Sequence, residues 1–401
     1  MLWNHISLLR KPVHWLALTA SLSVTGQAVL LNPVLANSRD QAYTLHTRIA
    51  GVPPTPAVLN SMAQKIDTGQ SIDAAYEAME DSNFYNTTLR NFVTPWTNKD
   101  QSVFADLNDY TATVIGLIRD ERPFTQTLTA DVVYVGASNL NLPAYAQNNN
   151  DHYIAMQEAG IDLGDPSQLV STMQTQLPNT PLTTDATAGV LTTRAAAAEF
   201  FFAGTNRAMV RFTLMNYMCR DLEQLKDITR PSNFIRQDVS RAPGGDSAVF
   251  LNNCIGCHSG LDAVAKAFAY YDWDQNQAQI VYTPNQVTEK HLINSSNFPL
   301  GYVTTNDSWV NYWRNGPNTV LGWNPVGAGR GSGAKSFGAE IAGSRAFSTC
   351  QVEKTFQQVC LREPTTGADL AAVERIADVF ENNQYSMKRV FAETAVHCMG
   401  N

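Results

Sequence analysis

Residues 254–272 run C-I-G-C-H-S-G-L-D-A-V-A-K-A-F-A-Y-Y-D. Cys254, Cys257 and His258 form C-x-x-C-H, in which two thiols three positions apart can add across the vinyl groups of one porphyrin while the adjoining imidazole takes the iron as its fifth ligand. A zinc site would need a fourth soft or imidazole ligand, usually from a second close pair, and the sequence holds no second C-x-x-C. A redox dithiol of the thioredoxin kind does not call for the terminal His and follows a strand pattern that is missing here. The segment therefore reads as the attachment point of one covalent haem c, with His258 as the proximal iron ligand. Helical periodicity on both sides of it predicts a mainly α fold: two packed helical lobes with a cytochrome-c-like haem segment in the C-terminal half.

Covalent haem attachment takes place in an oxidising compartment, and the N-terminus carries the matching address. Arg10 and Lys11 precede a mostly apolar run from Trp15 to Leu31, and Val34-Leu35-Ala36 offers small residues where a signal peptidase reads them. Residues 1–36 are expected to be a cleaved signal peptide. The run is broken by Thr19, Ser21, Ser23, Thr25, Gly26 and Gln27, which makes it a poor membrane span. No later segment has eighteen consecutive apolar residues, so no transmembrane segment is expected in the mature chain. Export to the periplasm or surface of a Gram-negative bacterium follows. Without residues 1–36 the chain keeps 26 Lys and Arg against 36 Asp and Glu, a net charge of −10. That surface repels phosphate backbones, which argues against nucleic acid and for a redox partner protein with a basic docking face.

The expected organisation is an N-terminal helical domain over 37–230 and a haem-binding domain with a closing helical bundle over 231–401. Pro56 to Asp67 reads as a helix, and Ser71 as the cap of another through Glu80. Phe104, Leu107, Tyr110, Val114 and Leu117 recur at helical steps, predicting an amphipathic helix over 103–120. Asp131 to Tyr134 is short and β-prone, and Asn148-Asn149-Asn150 marks a surface loop. Thr205 can cap a core helix reaching about Leu225, and Pro231, Pro243, Gly244 and Gly245 mark the approach to the haem segment. Beyond it, the glycine-rich stretch from Trp309 to Gly338 lacks the G-x-x-x-x-G-K-[ST] spacing of a phosphate cradle. It reads as an ordered loop anchored by Trp309, Trp313 and Trp323. Helices are then expected over 338–361, 368–382 and 385–397. Thr366 with Asp369 suggests a capping box, and Leu370, Val373, Ala377 and Phe380 an apolar stripe.

The run from Cys254 to Asp272 resembles, without a gap, the pattern C-x-x-C-H-x-x-I-D-P-x-G-x-A-L-E-x-F-D of the large planctomycete-type c-type cytochromes. His258, Leu261, Asp262, Ala267, Phe268, Tyr271 and Asp272 fall on matching positions. Upstream, Arg122-Pro123-Phe124 with Leu128-Thr129-Ala130-Asp131, and Gly189-Val190-Leu191-Thr192 with Cys219, are similar to two further segments of that family. Downstream, Ala339 to Cys398 is similar to its closing helical segment, including Phe347, Cys350, Phe356, Arg362, Phe380 and Tyr385. The resemblance implies an exported haem protein and no settled activity. Ala263, Ala265 and Ala269 stand where the family has Pro, Gly and Glu, which predicts a more helical turn after the haem.

The four remaining cysteines, Cys219, Cys350, Cys360 and Cys398, suit two disulfides in an exported chain. Cys350 and Cys360 on one helix would sit about 15 Å apart along its axis, beyond bridging range. An up-down-up arrangement of the last helices favours Cys360 with Cys398, leaving Cys219 with Cys350. The sixth iron position is open to several candidates: His291 or Met387 first, then Met215, Met218, His397 and Met399, or no protein ligand at all. Asp262 could hold the haem loop by a hydrogen bond behind the ligand, or simply cap a helix. The preferred function is electron transfer, because no other catalytic constellation stands out. The alternatives are a haem enzyme of oxidase or peroxidase type with an open distal site, and a surface binding protein with a structural haem.

Overall fold

Thr55 accepts the Val58 amide and Pro56 fills the first turn, so the expected helix spans Pro56–Asp67. The computed structural model describes residues 37–236, 248, 250–292 and 301–400. The expected signal peptide and the Pro243-Gly244-Gly245 approach lie outside them. The first described helix, Ser38–Ala50, is capped by Asn37, the residue after the expected cleavage point. Ser71–Ala78 follows, with Ser71 inside its first turn rather than capping it.

The chain is mainly α, with three small antiparallel ladders. Strand β1 (Val133–Gly136) pairs with β2 (Leu169–Thr172), Val133 opposite Thr172; β3 (Tyr271–Asp274) pairs with β4 (Gln279–Tyr282), Tyr271 opposite Tyr282; β5 (Ser308–Val310) pairs with β6 (Arg330–Ser332). The last two hairpins were not expected from the sequence. The glycine-rich stretch, expected as a loop, instead carries most of the β5–β6 ladder and the start of the Gly333–Ala342 helix; Trp309, Trp313 and Trp323 are all buried, as their anchoring role requires.

Two expected helices are shorter than their apolar patterns. Asn108 accepts the Thr111 amide at 3.0 Å and starts the helix at Asp109–Arg119; Phe104, placed on the expected stripe, is 93% exposed. Every residue of that helix is buried, so it runs through the centre rather than along the surface. The core helix expected from Thr205 spans Arg207–Met218. Asn206 precedes it with φ 61°, its amide spent on the carbonyls of Phe268 and Tyr271 rather than on a cap, and Cys219 ends it in the left-handed region. Leu222–Leu225 is a separate turn with its own capping box at Asp221 and Gln224.

The closing segment divides at Gly343, where Ser344 caps a new helix through the Phe347 amide. It forms Gly333–Ala342, Arg345–Cys360, Gly367–Asn382 and Met387–Cys398, the last three packed on one another. The capping box of Thr366 and Asp369 is present; Leu370 points outward, and Val373, Ile376, Ala377 and Phe380 make the buried face. Both bridges join as anticipated: Cys219 to Cys350 with Cα atoms 5.3 Å apart, and Cys360 to Cys398 with 5.6 Å.

Residues 36–401 cluster as one unit, and packing crosses the boundary expected near residue 230. Phe347 stacks on Tyr217 and Phe380 and leans on Phe124, joining the first half of the chain to the last helices. Three separate stretches also meet at one backbone knot. The amides of Gly189 and Val190 donate to Ala130 and Thr127, both at 2.8 Å, and Gly338 lies so close to the Leu128 carbonyl that a Cβ would sit 2.0 Å from it. No described helix is long and apolar enough to cross a membrane.

Candidate haem-attachment site

The motif occupies the start of the Ile255–Ala265 helix, entered through a wide turn over Phe250–Cys254. Helix continues to Ala265 and a 3-10 turn over Lys266–Phe268, in keeping with the alanines at 263, 265 and 269. Its buried face carries Leu261, Val264 and Ala265, and Gly260 admits the Trp313 indole: a Cβ there would lie 2.3 Å from Trp313 Nε1. The helix is thereby pinned in rotation, and its first turn is turned outward. Cys254, Cys257 and His258 are each only partly covered.

Four of the six cysteines are spent on the bridges, and the two motif cysteines are free thiols. Burial, then the nearby Glu223, pushes the Cys257 thiol upward. That is the reverse of what a nucleophilic redox thiol needs. Two exposed apolar side chains lie near the motif: Leu251, 56% exposed in the entry turn three residues before Cys254, and Ile228, 70% exposed with Cγ2 close to Gly256.

His258 is held from behind. Its Nδ1 lies 3.0 Å from Asp262 Oδ1, one helical turn on. Asp262 is fully buried, and burial alone would raise its pKa. The Arg207 guanidinium and the His258 bond outweigh that and hold the carboxyl well below its usual range. An ionised carboxylate only accepts, so Nδ1 of His258 carries a proton, and Nε2 is the ring nitrogen left to serve a ligand. Arg207 grips Asp262 with Nε at 2.6 Å and Nη2 at 3.0 Å, and the Arg236 backbone amide adds a third donor at 3.1 Å.

Arg236 extends this network to His291. Its Nη1 donates to His291 Nδ1 at 2.7 Å, and its Nη2 to the His291 carbonyl at 2.8 Å. His291 is buried rather than solvent-facing, and burial, then Arg236 and Lys290, push its pKa down to about 2. Its Nε2 faces the Asn206 amide at 3.5 Å. His291 thus stands in the shell behind Asp262, with Nδ1 committed to Arg236. Met387 is buried at the start of the Met387–Cys398 helix, whose main neighbours are the Arg345–Cys360, Gly367–Asn382 and Ser71–Ala78 helices. His397 pairs with Asp369 in that same bundle. The structure brings Cys254, Cys257, His258, Asp262 and His291 into one region and places Met387 in another part of the core.

Sequence reading missed Arg207 and Arg236. Arg207 left one sign: a cation at the first position of a helix opposes the helix dipole, so it needs a partner elsewhere. Arg236 left none, because its role depends on the chain returning through His291.

Among the described residues, no three His, Cys, Asp or Glu side chains converge on a cation site. A haem draws on a different donor set: two thiols and one oriented imidazole on a single helical turn, with apolar neighbours for the ring. The residues present fit that set. No protein-family model, curated protein or solved structure significantly matches the chain.

Proposed function

We propose that this chain is an exported c-type cytochrome carrying one haem c on Cys254 and Cys257, with His258 as proximal ligand, and that it works in electron transfer. The observation that carries the reading is the hydrogen bond from His258 Nδ1 to the buried Asp262 carboxylate. It orients the imidazole through Nδ1 and leaves Nε2 to serve a ligand on the turn that bears both free thiols. When bound, the group would supply one-electron chemistry. The polypeptide supplies the tether, the orientation of the imidazole and an apolar flank at Ile228 and Leu251. Export is supported by the N-terminal segment and by two disulfides, which persist in oxidising compartments. The acidic composition suits a partner with a basic docking face.

The test is production in a host equipped for cytochrome maturation, followed by intact mass and optical spectra with and without carbon monoxide or cyanide. The expected result is one haem added to the mass of the chain from Asn37; a reduced spectrum indifferent to carbon monoxide would support electron transfer. Rapid ligand binding by the ferrous form would favour a haem enzyme with an open distal site. An apo mass with both thiols unmodified would overturn the proposal. His258→Ala should keep the tethered haem and lose its native ligation.

A further inference from the structure

The chain is acidic overall, yet one of its cavities is lined by a lysine, Lys354, for which no carboxylate partner is found among the described residues. A recess of about 550 Å³ opens where the Arg207–Met218 and Arg345–Cys360 helices meet Trp96. Lys354 reaches into it with Nζ 3.9 Å from the centre of the Trp96 ring, donating to the Asn216 carbonyl at 2.9 Å. Asn216 is fixed in turn, its amide donating to the Trp96 carbonyl at 2.9 Å. Among the described residues no carboxylate lies within ion-pair distance of Lys354.

The rest of the wall does not supply the missing anion. Arg220 adds a second cation, oriented by a 2.8 Å bond from Nη1 to the Cys219 carbonyl and offset in part by Glu353 outside the recess. Asp221, the one acid lining the recess, is already taken by both arms of Arg211 at 2.7 and 2.6 Å. A cation withdrawn from water without a counter-charge is costly, and burial accordingly pushes Lys354 down to about 7. The face of Trp96 and a carbonyl dipole offset only part of that cost. An anion entering the recess would supply the remainder.

Two features narrow the anion. Phe92 and Met215 give the recess an apolar side, and Asn91, Gln101 and Gln357 place amides on its wall. A bare inorganic ion would use neither the volume nor the apolar side. We propose that this recess is a binding site for a small organic carboxylate, its carboxyl group on Lys354 with Arg220 nearby and its apolar body against Phe92 and Met215. None of the motif residues lines the recess, which borders the motif through the turn holding Asp221 and Gln224, where the Leu222 carbonyl lies 3.5 Å from Cys257 Sγ; the proposal does not depend on the electron-transfer reading.

Benzoate is a suitable probe, with benzamide as the uncharged shape control and inorganic phosphate as the bare-ion control. Titrating the full chain with benzoate by calorimetry at constant ionic strength should give saturable one-to-one binding, at least tenfold tighter than benzamide or phosphate. Lys354→Met should weaken benzoate at least tenfold, Lys354→Arg should keep most of the affinity, and Arg220→Gln should cost a few-fold. A footprint needs no variant: saturating benzoate should slow acetylation of Lys354 in the unmodified protein, read by peptide mass spectrometry, and leave the exposed lysines unchanged. Absence of saturation, equal affinity in Lys354→Met, phosphate binding as well as benzoate, or an unprotected Lys354 would each overturn the proposal.

Discussion

His258 and Asp262 are joined across one helical turn by a 3.0 Å hydrogen bond, and the carboxylate that accepts it is completely buried. A buried charge is tolerated when every lone pair is used. Here Arg207, His258 and the Arg236 amide use them. The pair therefore couples the orientation of the motif imidazole to the integrity of the fold.

Asp262→Asn should expose both sides of that coupling. The amide removes the counter-charge of Arg207 and leaves a donor facing a guanidinium, and breaking a buried ion pair from one side costs about 3–5 kcal/mol. Urea denaturation should show a clearly lower midpoint at unchanged slope. A variant as stable as the parent would mean that Arg207 finds its compensation elsewhere. In haem-loaded protein the same change should alter the spectrum of the ligated imidazole, because the proton on Nδ1 loses its charged acceptor.

His291 predicts a pH dependence of opposite origin. It faces Arg236, Lys290 and Arg207, with Asp262 the one nearby anion, and is held neutral with a folded pKa of about 2. The unfolded chain takes up its proton near pH 6.5 and the folded chain does not, so this group's stabilising effect is complete above pH 6.5 and falls as the pH drops below it. Between pH 7 and pH 5 the loss is on the order of 2 kcal/mol. His291→Gln should remove that part of the slope. Parallel stability profiles for parent and variant over this interval would show that the imidazole is protonated in the fold.

What could be read from the sequence was what depends on near neighbours. The Pro56–Asp67 helix, the Thr366–Asp369 box and the incompatibility of Cys350 with Cys360 follow from spacing along one helix. The pairing of Cys219 with Cys350 then came by exclusion. Phe104 and Leu370 matched helical periods and lie outside, because a period fixes a face and says nothing about where the neighbouring element ends. The β3–β4 hairpin has no Gly at its turn: Ala278 takes φ 51° there, and Asp274 holds the turn through the Asn276 and Gln277 amides. In the site, the motif itself was plain, while the shell behind it was hidden. Arg207 is 55 residues from Asp262, and Arg236 is 55 from His291.

Gly260 tests how the motif helix is seated. A methyl group at this position would meet the Trp313 indole at 2.3 Å, and Trp313 is buried on all sides with no room to retreat. Gly260→Ala gains helix propensity of about 1 kcal/mol and still should destabilise, since overpacking of this kind costs roughly 1–3 kcal/mol. The indole fluorescence should shift with it. A stabilised Gly260→Ala variant with unchanged fluorescence would show that the helix and Trp313 are less tightly apposed than described.

The two bridges should contribute unequally. Cys219–Cys350 closes 131 residues and fastens the end of the Arg207–Met218 helix to the Arg345–Cys360 helix, whereas Cys360–Cys398 closes 38 within the terminal bundle. In the chain-entropy picture these closures are worth about 5 and about 4 kcal/mol respectively. The double substitution Cys219→Ser with Cys350→Ser should therefore lower stability more than Cys360→Ser with Cys398→Ser, by about 1 kcal/mol. The difference does not draw on burial, because each bridge joins one buried cysteine, Cys350 or Cys360, to one partly exposed, Cys219 or Cys398. Chemical denaturation of both variants under non-reducing conditions measures it. If the shorter bridge proved the more costly to lose, the terminal bundle would owe its stability to that staple rather than to its attachment to the rest of the core.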